Sequence, residues 1–296
     1  MSTDLPRYLT TRELADLLRV KERKVYELAA SGDIPCSRAT GKLLFPRDEI
    51  EAWLTRHRAG PGSTTSSVRP NVFAGSHDPL LEWALRESRS GLAAFLDGSF
   101  DGLERLHRGE AIAAGVHIVE PEAGDWNRAH VEESLGGESV VLLEWAWREQ
   151  GLILPSGNPR EIHCFADLKG RRFIPRQPEA GTYVLFQILL DREGVSASDL
   201  ELVAPPARTQ TDIAAAVADG KADAGLGLAC VARQFRLEFI PLTRERFDII
   251  VYRRPYFDAP FQRLMDFCRS PAFSTRANEL GGYDVSGFGR VHYNGP

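Results

Sequence analysis

Residues 59–70, AGPGSTTSSVRP, have almost nothing to bury, and they divide this 296-residue chain into two stretches with separate hydrophobic patterns. Gly, Pro, Ser and Thr in such a run read as a flexible linker. The chain is therefore expected to carry a head over residues 1–58, a linker over 59–70 and a body over 71–296. Its length, above the usual single-domain size, agrees. Charge is split unevenly. Residues 1–60 hold 11 Lys/Arg against 9 Asp/Glu, and the rest holds 25 against 32. A mildly basic head on an acidic body is the distribution expected when only one end meets a polyanion.

The head is expected to be two short helices, a hairpin and a third helix. Thr10 and Glu13 have capping-box spacing, and Leu14, Leu17 and Leu18 follow at i, i+3 and i+4. A second amphipathic stretch turns Val25, Leu28 and Ala29 inward and Lys21, Arg23, Lys24 and Tyr26 outward. Residues 34–38 and 43–45 are expected to pair as a hairpin with Arg38 and Lys42 near its tip. Ile50, Trp53 and Leu54 then face the core from a last helix. Two helices at a steep angle, the second basic, fit a helix-turn-helix. With "LTTRELADLL" (9–18), "VYELAASGDIP" (25–35) and "GKLLFPRDEIEAWL" (41–54), the segment resembles the excisionase/MerR-type winged helix-turn-helix. The resemblance implies double-stranded DNA as partner, with Lys21, Arg23, Lys24 and Tyr26 on the helix in the major groove and Arg38 and Lys42 reaching phosphates or a minor groove. Lys21 departs from the small Ser or Thr cap usual there. The bland alternative is a protein-interaction module with a solvated charged face.

No apolar run approaches the length of a membrane span and the first residues lack a signal-peptide pattern, so a cytoplasmic protein is expected. Cys36, Cys164, Cys230 and Cys268 are far apart, which favours buried reduced thiols over a zinc site or disulfides.

Beyond the linker, short apolar runs alternate with helical patterns. Strands are expected near 72–74, 92–96, 111–119, 139–143, 172–174, 201–203 and 222–228. Helices are expected near 79–87, 100–108, 127–135, 182–193, 211–219 and 259–268, with Tyr283 and Phe288 packing on the first lobe. This rhythm argues for an α/β body with largely parallel sheets. It breaks near 155–159 and 247–251, which read as two crossings between lobes, the second lobe covering about 160–247. A discontinuous two-lobed α/β body is the architecture of periplasmic-binding-protein-like domains, which close on a ligand by hinge motion.

The residues themselves support that. "AGSHDPLL" (74–81), "GSFDGLERLHRGEAIAAGVHIVEP" (98–121), "RRFIPRQPEAGTYVLF" (171–186) and "TDIAAAVADGKADAGLGLA" (211–229) resemble the periplasmic-binding-protein-like domain (type 2) found fused to helix-turn-helix heads and to molybdopterin-biosynthesis proteins. The resemblance implies an effector such as molybdate, tungstate, a molybdenum-cofactor-related molecule or a small organic anion. Ligands of open α/β sheets sit at the carboxyl ends of strands. That places Ser76, His77 and Asp78, Ser99, His117, and Arg176, Gln177, Gly181, Thr182 and Tyr183 around a cleft. Small residues there let backbone N–H groups approach an anion, and helix N-termini favour one. Ser76 and Ser99 have a competing role as helix caps. Asp212 is expected to complement a helix dipole and Asp223 to cap a turn. Tyr183 stands where the related pattern more often has arginine.

The expectation is a homodimeric, ligand-responsive DNA-binding regulator with no metal, no catalytic residues and no membrane partner. A binding protein without DNA regulation is the alternative. A molybdopterin-related enzyme is less favoured, because no nucleophile elbow, Walker loop or zinc motif is present.

Overall fold

The computed structural model describes residues 7–37, 41–56, 69–120 and 124–296, in two compact units that divide at residues 68 and 69. In the first unit, β1 (Tyr8–Thr10) leads into α1 (Thr11–Leu18), followed by α2 (Glu22–Ser31), β2 (Leu44–Pro46) and α3 (Arg47–Arg56). The capping box is formed: the Glu13 N–H donates to Thr10 Oγ1 at 3.3 Å, and the Thr10 N–H to Glu13 Oε2 at 2.8 Å. Gly32, at φ 78°, ends α2 in the left-handed conformation that suits glycine. Leu14, Ala15, Val25, Ile34, Phe45 and Ile50 make the core.

Two expectations about this unit change. Leu17 is 45% exposed, because Ala15 and Leu18 fill the space beside Leu14. The strand over 44–46 pairs along its length with β1, and meets the preceding segment in a single bridge, Ser37 to Leu44. The hairpin is thus braced by the chain start. Arg38 and most of the linker lie outside the described residues.

In the second unit, β3 (Val72–Gly75), α4 (Pro79–Glu87), β4 (Ala93–Phe95), α5 (Ser99–His107) and β5 (Ala113–Val116) form the first βαβ layers. A small hairpin, β6 (Val119–Glu120) and β7 (Asp125–Trp126), leads to α6 (Arg128–Leu135) and the long β8 (Val140–Leu154). The second lobe holds β9 (Arg172–Ile174), α7 (Gly181–Glu193), β10 (Glu201–Leu202), α8 (Gln210–Ala218), β11 (Ala224–Leu228) and α9 (Ala229–Gln234). Then β12 (Glu238–Tyr252) returns, followed by α10 (Arg253–Tyr256), α11 (Ala259–Cys268), α12 (Pro271–Leu280), β13 (Tyr283–Asp284) and β14 (Val291–Asn294).

The sheet runs β10-β9-β11-β8-β12-β5-β3-β4. Its two ends are parallel, as the alternating pattern requires, but its middle is not: β8 and β12 lie antiparallel over nearly their whole fifteen-residue lengths. This pair is the connection between lobes. β8 takes β11 as neighbour from Gln150, and β12 takes β5 from Asp248, with register shifts at Pro241/Thr243 and Phe247/Asp248. The crossings therefore fall inside continuous strands. The first precedes the expected 155–159, which is a turn with Asn158 at φ 46°. A strand passing through two lobes keeps its hydrogen bonding, and Gly151 and Pro241, which pair beside the register shift, are carried within it.

Separate cores serve the lobes. Phe73, Leu81, Trp145, Phe247 and Phe261 anchor the first, with Tyr283 and Phe288 packed on it as expected. Phe165, Phe173, Phe186 and Leu189 anchor the second. Cys230 and Cys268 are buried and Cys36 half-buried, whereas Cys164 is exposed, contrary to expectation, in a polar turn against Asp167.

Candidate functional site

The N-termini of α5 and α7 meet across the seam between the lobes. Gly98 approaches the second lobe so closely that a Cβ there would lie 2.6 Å from Glu179 O, and one at Gly181 would lie 2.1 Å from His117 O. The Phe100 N–H donates to Glu179 O at 3.2 Å, and Gln177 Nε2 to Asp97 O at 2.8 Å. Arg208 pairs with Asp97 at the outer rim.

On the first-lobe side, Ser76 and Ser99 are buried with their hydroxyls 2.7 Å apart, and Ser99 Oγ accepts from the His117 N–H at 3.1 Å. Neither serine is a helix cap: those positions belong to Asp78 for α4 and Gly98 for α5. On the second-lobe side, Thr182 Oγ1 accepts from Gln210 Nε2 at 3.2 Å and from Gln150 Nε2 at 3.5 Å.

Beneath the seam lies an ionic network that sequence reading missed. Arg148 Nη1 donates to Asp78 Oδ2 at 2.9 Å, and Nη2 to Glu245 Oε1. Glu245 also receives Gln150 Nε2 at 2.9 Å and lies 3.0 Å from His117 Nδ1. Tyr283 OH donates to Asp78 Oδ2 at 2.7 Å. Burial works to raise the Glu245 carboxyl, but the Arg148 and His117 charges and the hydrogen bonds from His117 and Gln150 outweigh it, holding it at about 2. Burial likewise opposes the Arg148 charge, which Glu245 and Asp78 more than restore. The imidazole of His117 is pushed down by burial, with Glu245 opposing.

Arg176 is different. It is 5% exposed, yet its guanidinium partners are Ala207 O at 3.0 Å, Arg208 O at 2.8 Å and Gln177 Oε1 at 3.3 Å. Among the described residues no carboxylate stands at ion-pair distance from it. Burial accordingly lowers it to about 10. Its charge also helps to depress His77 and His117, whose principal cause is again burial.

Of the residues expected at the cleft, Ser76, Ser99, His117, Arg176, Gln177, Gly181 and Thr182 converge on this seam. Asp78 is buried but committed to capping Leu81 N and pairing with Arg148 and Tyr283. His77 holds Glu82 through Nε2 at 3.2 Å, and its Nδ1 is buried without a partner. Tyr183 is a correction: its ring packs on Phe186 in the second-lobe core, since it follows Thr182 around the helix and turns off the seam. Asp212 completes a capping box with Thr209, and Asp223 forms an ion pair with Arg172 in place of the expected turn cap. A groove of about 400 Å³ lies along the second lobe, but its lining reaches the polar seam only through Gln177 and, at the rim, Arg208, so buried charge rather than groove size marks the site. Among the described residues no three His, Cys, Asp or Glu side chains are grouped to hold a metal ion.

In the first unit, Lys21, Arg23, Lys24, Tyr26 and Lys42 are all exposed. Lys21 occupies the N-cap of α2 without a side-chain cap bond, and Glu27 pairs with Arg23 at 3.3 Å and Lys24 at 3.6 Å. No helix is long and apolar enough to cross a membrane among the described residues.

Comparison with known proteins follows the same division. A family model described as a helix-turn-helix domain matches residues 8–58, and one described as a PBP superfamily domain matches residues 82–269. The chain is 25% identical over 299 residues to the protein YvgK of Bacillus subtilis (strain 168), covering 95% of this chain and 96% of that one. It is 34% identical over 80 residues to a Clostridium pasteurianum protein encoded in the 5′ region of a ferredoxin 2Fe-2S gene, covering 27% of this chain and 71% of that one. An ABC-transporter substrate-binding protein from Clostridium perfringens, solved with bound phosphate, superposes with a TM-score of 0.54 over 72% of this chain and 98% of its own, at 10% identity. That likeness is one of fold.

Proposed function

We propose a regulatory role for this chain, which belongs to the PBP superfamily domain family and carries a helix-turn-helix domain in front. The body takes a small anion between its lobes, and that binding changes how the head grips DNA. The observation that carries the reading is Arg176: a cation removed from water with no carboxylate at ion-pair distance among the described residues is costly, and an anionic ligand at the seam supplies the missing charge. Ser76, Ser99, Thr182 and the N-terminal N–H groups of α5 and α7 provide neutral donors around it. Molybdate, tungstate, a molybdenum-cofactor-related molecule and small organic acids are the candidate effectors.

The head, acting in a cytoplasmic homodimer, sets α2 into the major groove of a pseudo-palindromic operator, with Lys42 on the backbone. Closure of the lobes around the effector alters the spacing of two heads, a coupling of typically about 1–3 kcal/mol. The test is a titration of the full-length protein against its own promoter DNA at several salt concentrations, with and without each anion. Salt-sensitive binding that shifts with one anion is expected. Salt-insensitive or absent binding to that DNA would leave a binding protein without regulation.

A further inference from the structure

The polar groups at the seam do not all ask for negative charge. Thr182 accepts from two carboxamides, Gln150 and Gln210, each of which turns its nitrogen onto the hydroxyl. Both carboxamide oxygens are then buried without a partner, and both residues are fully buried. The orientation of Gln150 is not arbitrary: its nitrogen also donates to Glu245, a carboxylate that accepts only, so its oxygen is the free end. His77 repeats the pattern. Its Nε2 faces the Glu82 carboxylate and carries the proton, which leaves Nδ1 as a bare, buried acceptor. Among the described residues, two unmet acceptors therefore flank Thr182 where the N-termini of α7 and α8 meet β8, in the lobe that holds Arg176, and a third, His77 Nδ1, lies on the other side, near enough to Arg176 to feel its charge. Leaving an acceptor buried without a donor is costly, so such groups are normally satisfied.

We infer that the effector is an anion carrying its own hydrogen-bond donor, a hydroxyl-bearing acid, and that Gln150 and Gln210 are the residues selecting for that donor. The inference rests on the reading of the seam as the effector site. Arg176, Ser76, Ser99 and Thr182 take the anionic oxygens; Gln150 and Gln210 take the hydroxyl proton. A fully deprotonated dianion such as molybdate, tungstate or sulfate fills the first set and leaves the second unmet, and adds a repulsive oxygen beside two carboxamide oxygens. Sites built to bond a particular proton reject the analogue lacking it more strongly than apolar pockets reject a missing methylene. Two sources offer this chemistry, a hydrogen phosphate and a small hydroxycarboxylate.

The test uses the full-length protein and matched pairs, read by calorimetry and thermal shift at pH 8. Monohydrogen phosphate against sulfate compares two tetrahedral dianions differing by one proton. Glycolate against acetate and lactate against propionate do the same for carboxylates, and molybdate is a further donor-free arm. The hydroxyl-bearing member of the phosphate pair or of a carboxylate pair is expected to bind at least tenfold more tightly, and the pair that responds identifies the source. Gln210→Met, which leaves the Glu245 network intact, and separately Gln150→Met are expected to bring that ratio towards one. Sulfate, molybdate or acetate binding as tightly as its partner would overturn the inference while leaving an anion site. A ratio unchanged in both variants would overturn the assignment to the two glutamines. Binding of none of these anions would overturn the effector-site reading itself, and the inference with it.

Discussion

The two units handle charge in opposite ways. On α2 the basic side chains stand in water, and the one carboxylate that touches Arg23 and Lys24, Glu27, is itself exposed. In the body, Arg148 is fully withdrawn between Asp78 and Glu245, and Arg176 is withdrawn with no carboxylate at ion-pair distance among the described residues. Exposed pairs contribute about 0–1 kcal/mol, whereas breaking a buried pair costs several times more. The head can therefore exchange its charges for phosphates with little effect on folding. The body cannot alter these buried charges without altering its stability.

The sharpest way to break this contrast is Glu245→Ala. It leaves Arg148 half-paired at the strand crossing and is expected to lower the unfolding free energy of the body by about 3–5 kcal/mol, measured by denaturant titration of tryptophan fluorescence. A loss below about 1 kcal/mol would mean the network is no more than a surface pair.

The corresponding double change in the head, Arg23→Ala with Lys24→Ala, is expected to leave stability and anion affinity unchanged. It should weaken promoter binding strongly and reduce the slope of log affinity against log salt by about 2. An equal fall in anion affinity would break the division between the units.

pH sharpens the comparison within the body. His117 titrates lower when folded than when unfolded, so its contribution is present above pH of about 6.5 and is lost as pH falls towards its depressed folded value. Glu245 adds a second loss below its ordinary carboxylate range, towards about 2. Asp248, pushed up to about 6 by burial despite Arg246, works in the other sense: it relieves a cost as pH falls. The difference between wild type and His117→Gln isolates the first contribution, and the variant is expected to lose less stability between pH 7 and 5. Identical slopes would remove His117 from the account.

The smallest effect is expected at the rim. Arg208→Ala removes a half-exposed pairing with Asp97 across the seam, changing stability by less than about 1 kcal/mol while speeding anion release in stopped-flow measurements. Unchanged release would show that the rim contact does not hold the lobes together.

Legibility followed the same division. The capping box of Thr10 and Glu13 and the inward set Leu14, Val25 and Ile50 are local patterns. They were readable because their partners lie within a few residues. The hairpin was read less well, since its return strand is braced by β1, some 35 residues earlier. In the body, Ser76, Ser99, Gly181 and Thr182 were legible as small residues at strand-to-helix junctions. Tyr183 was not, because one step around a helix moves a side chain from the seam into a core. Arg148, Gln150 and Glu245 were missed, although Arg148 and Gln150 interrupt an apolar strand in VVLLEWAWREQGLIL (140–154), which was the available signal.

Sequence by itself therefore determined the helix-turn-helix head, the α/β alternation of the body and the small-residue loops, because periodicity, caps and turn chemistry act between near neighbours. Only the tertiary structure decided where the lobes cross and which charges share a counter-ion. Arg148 and Asp78 are 70 residues apart, and His117 and Glu245 are 128 apart. Desolvation sets the behaviour of such groups, and it exists only once distant strands have closed over them.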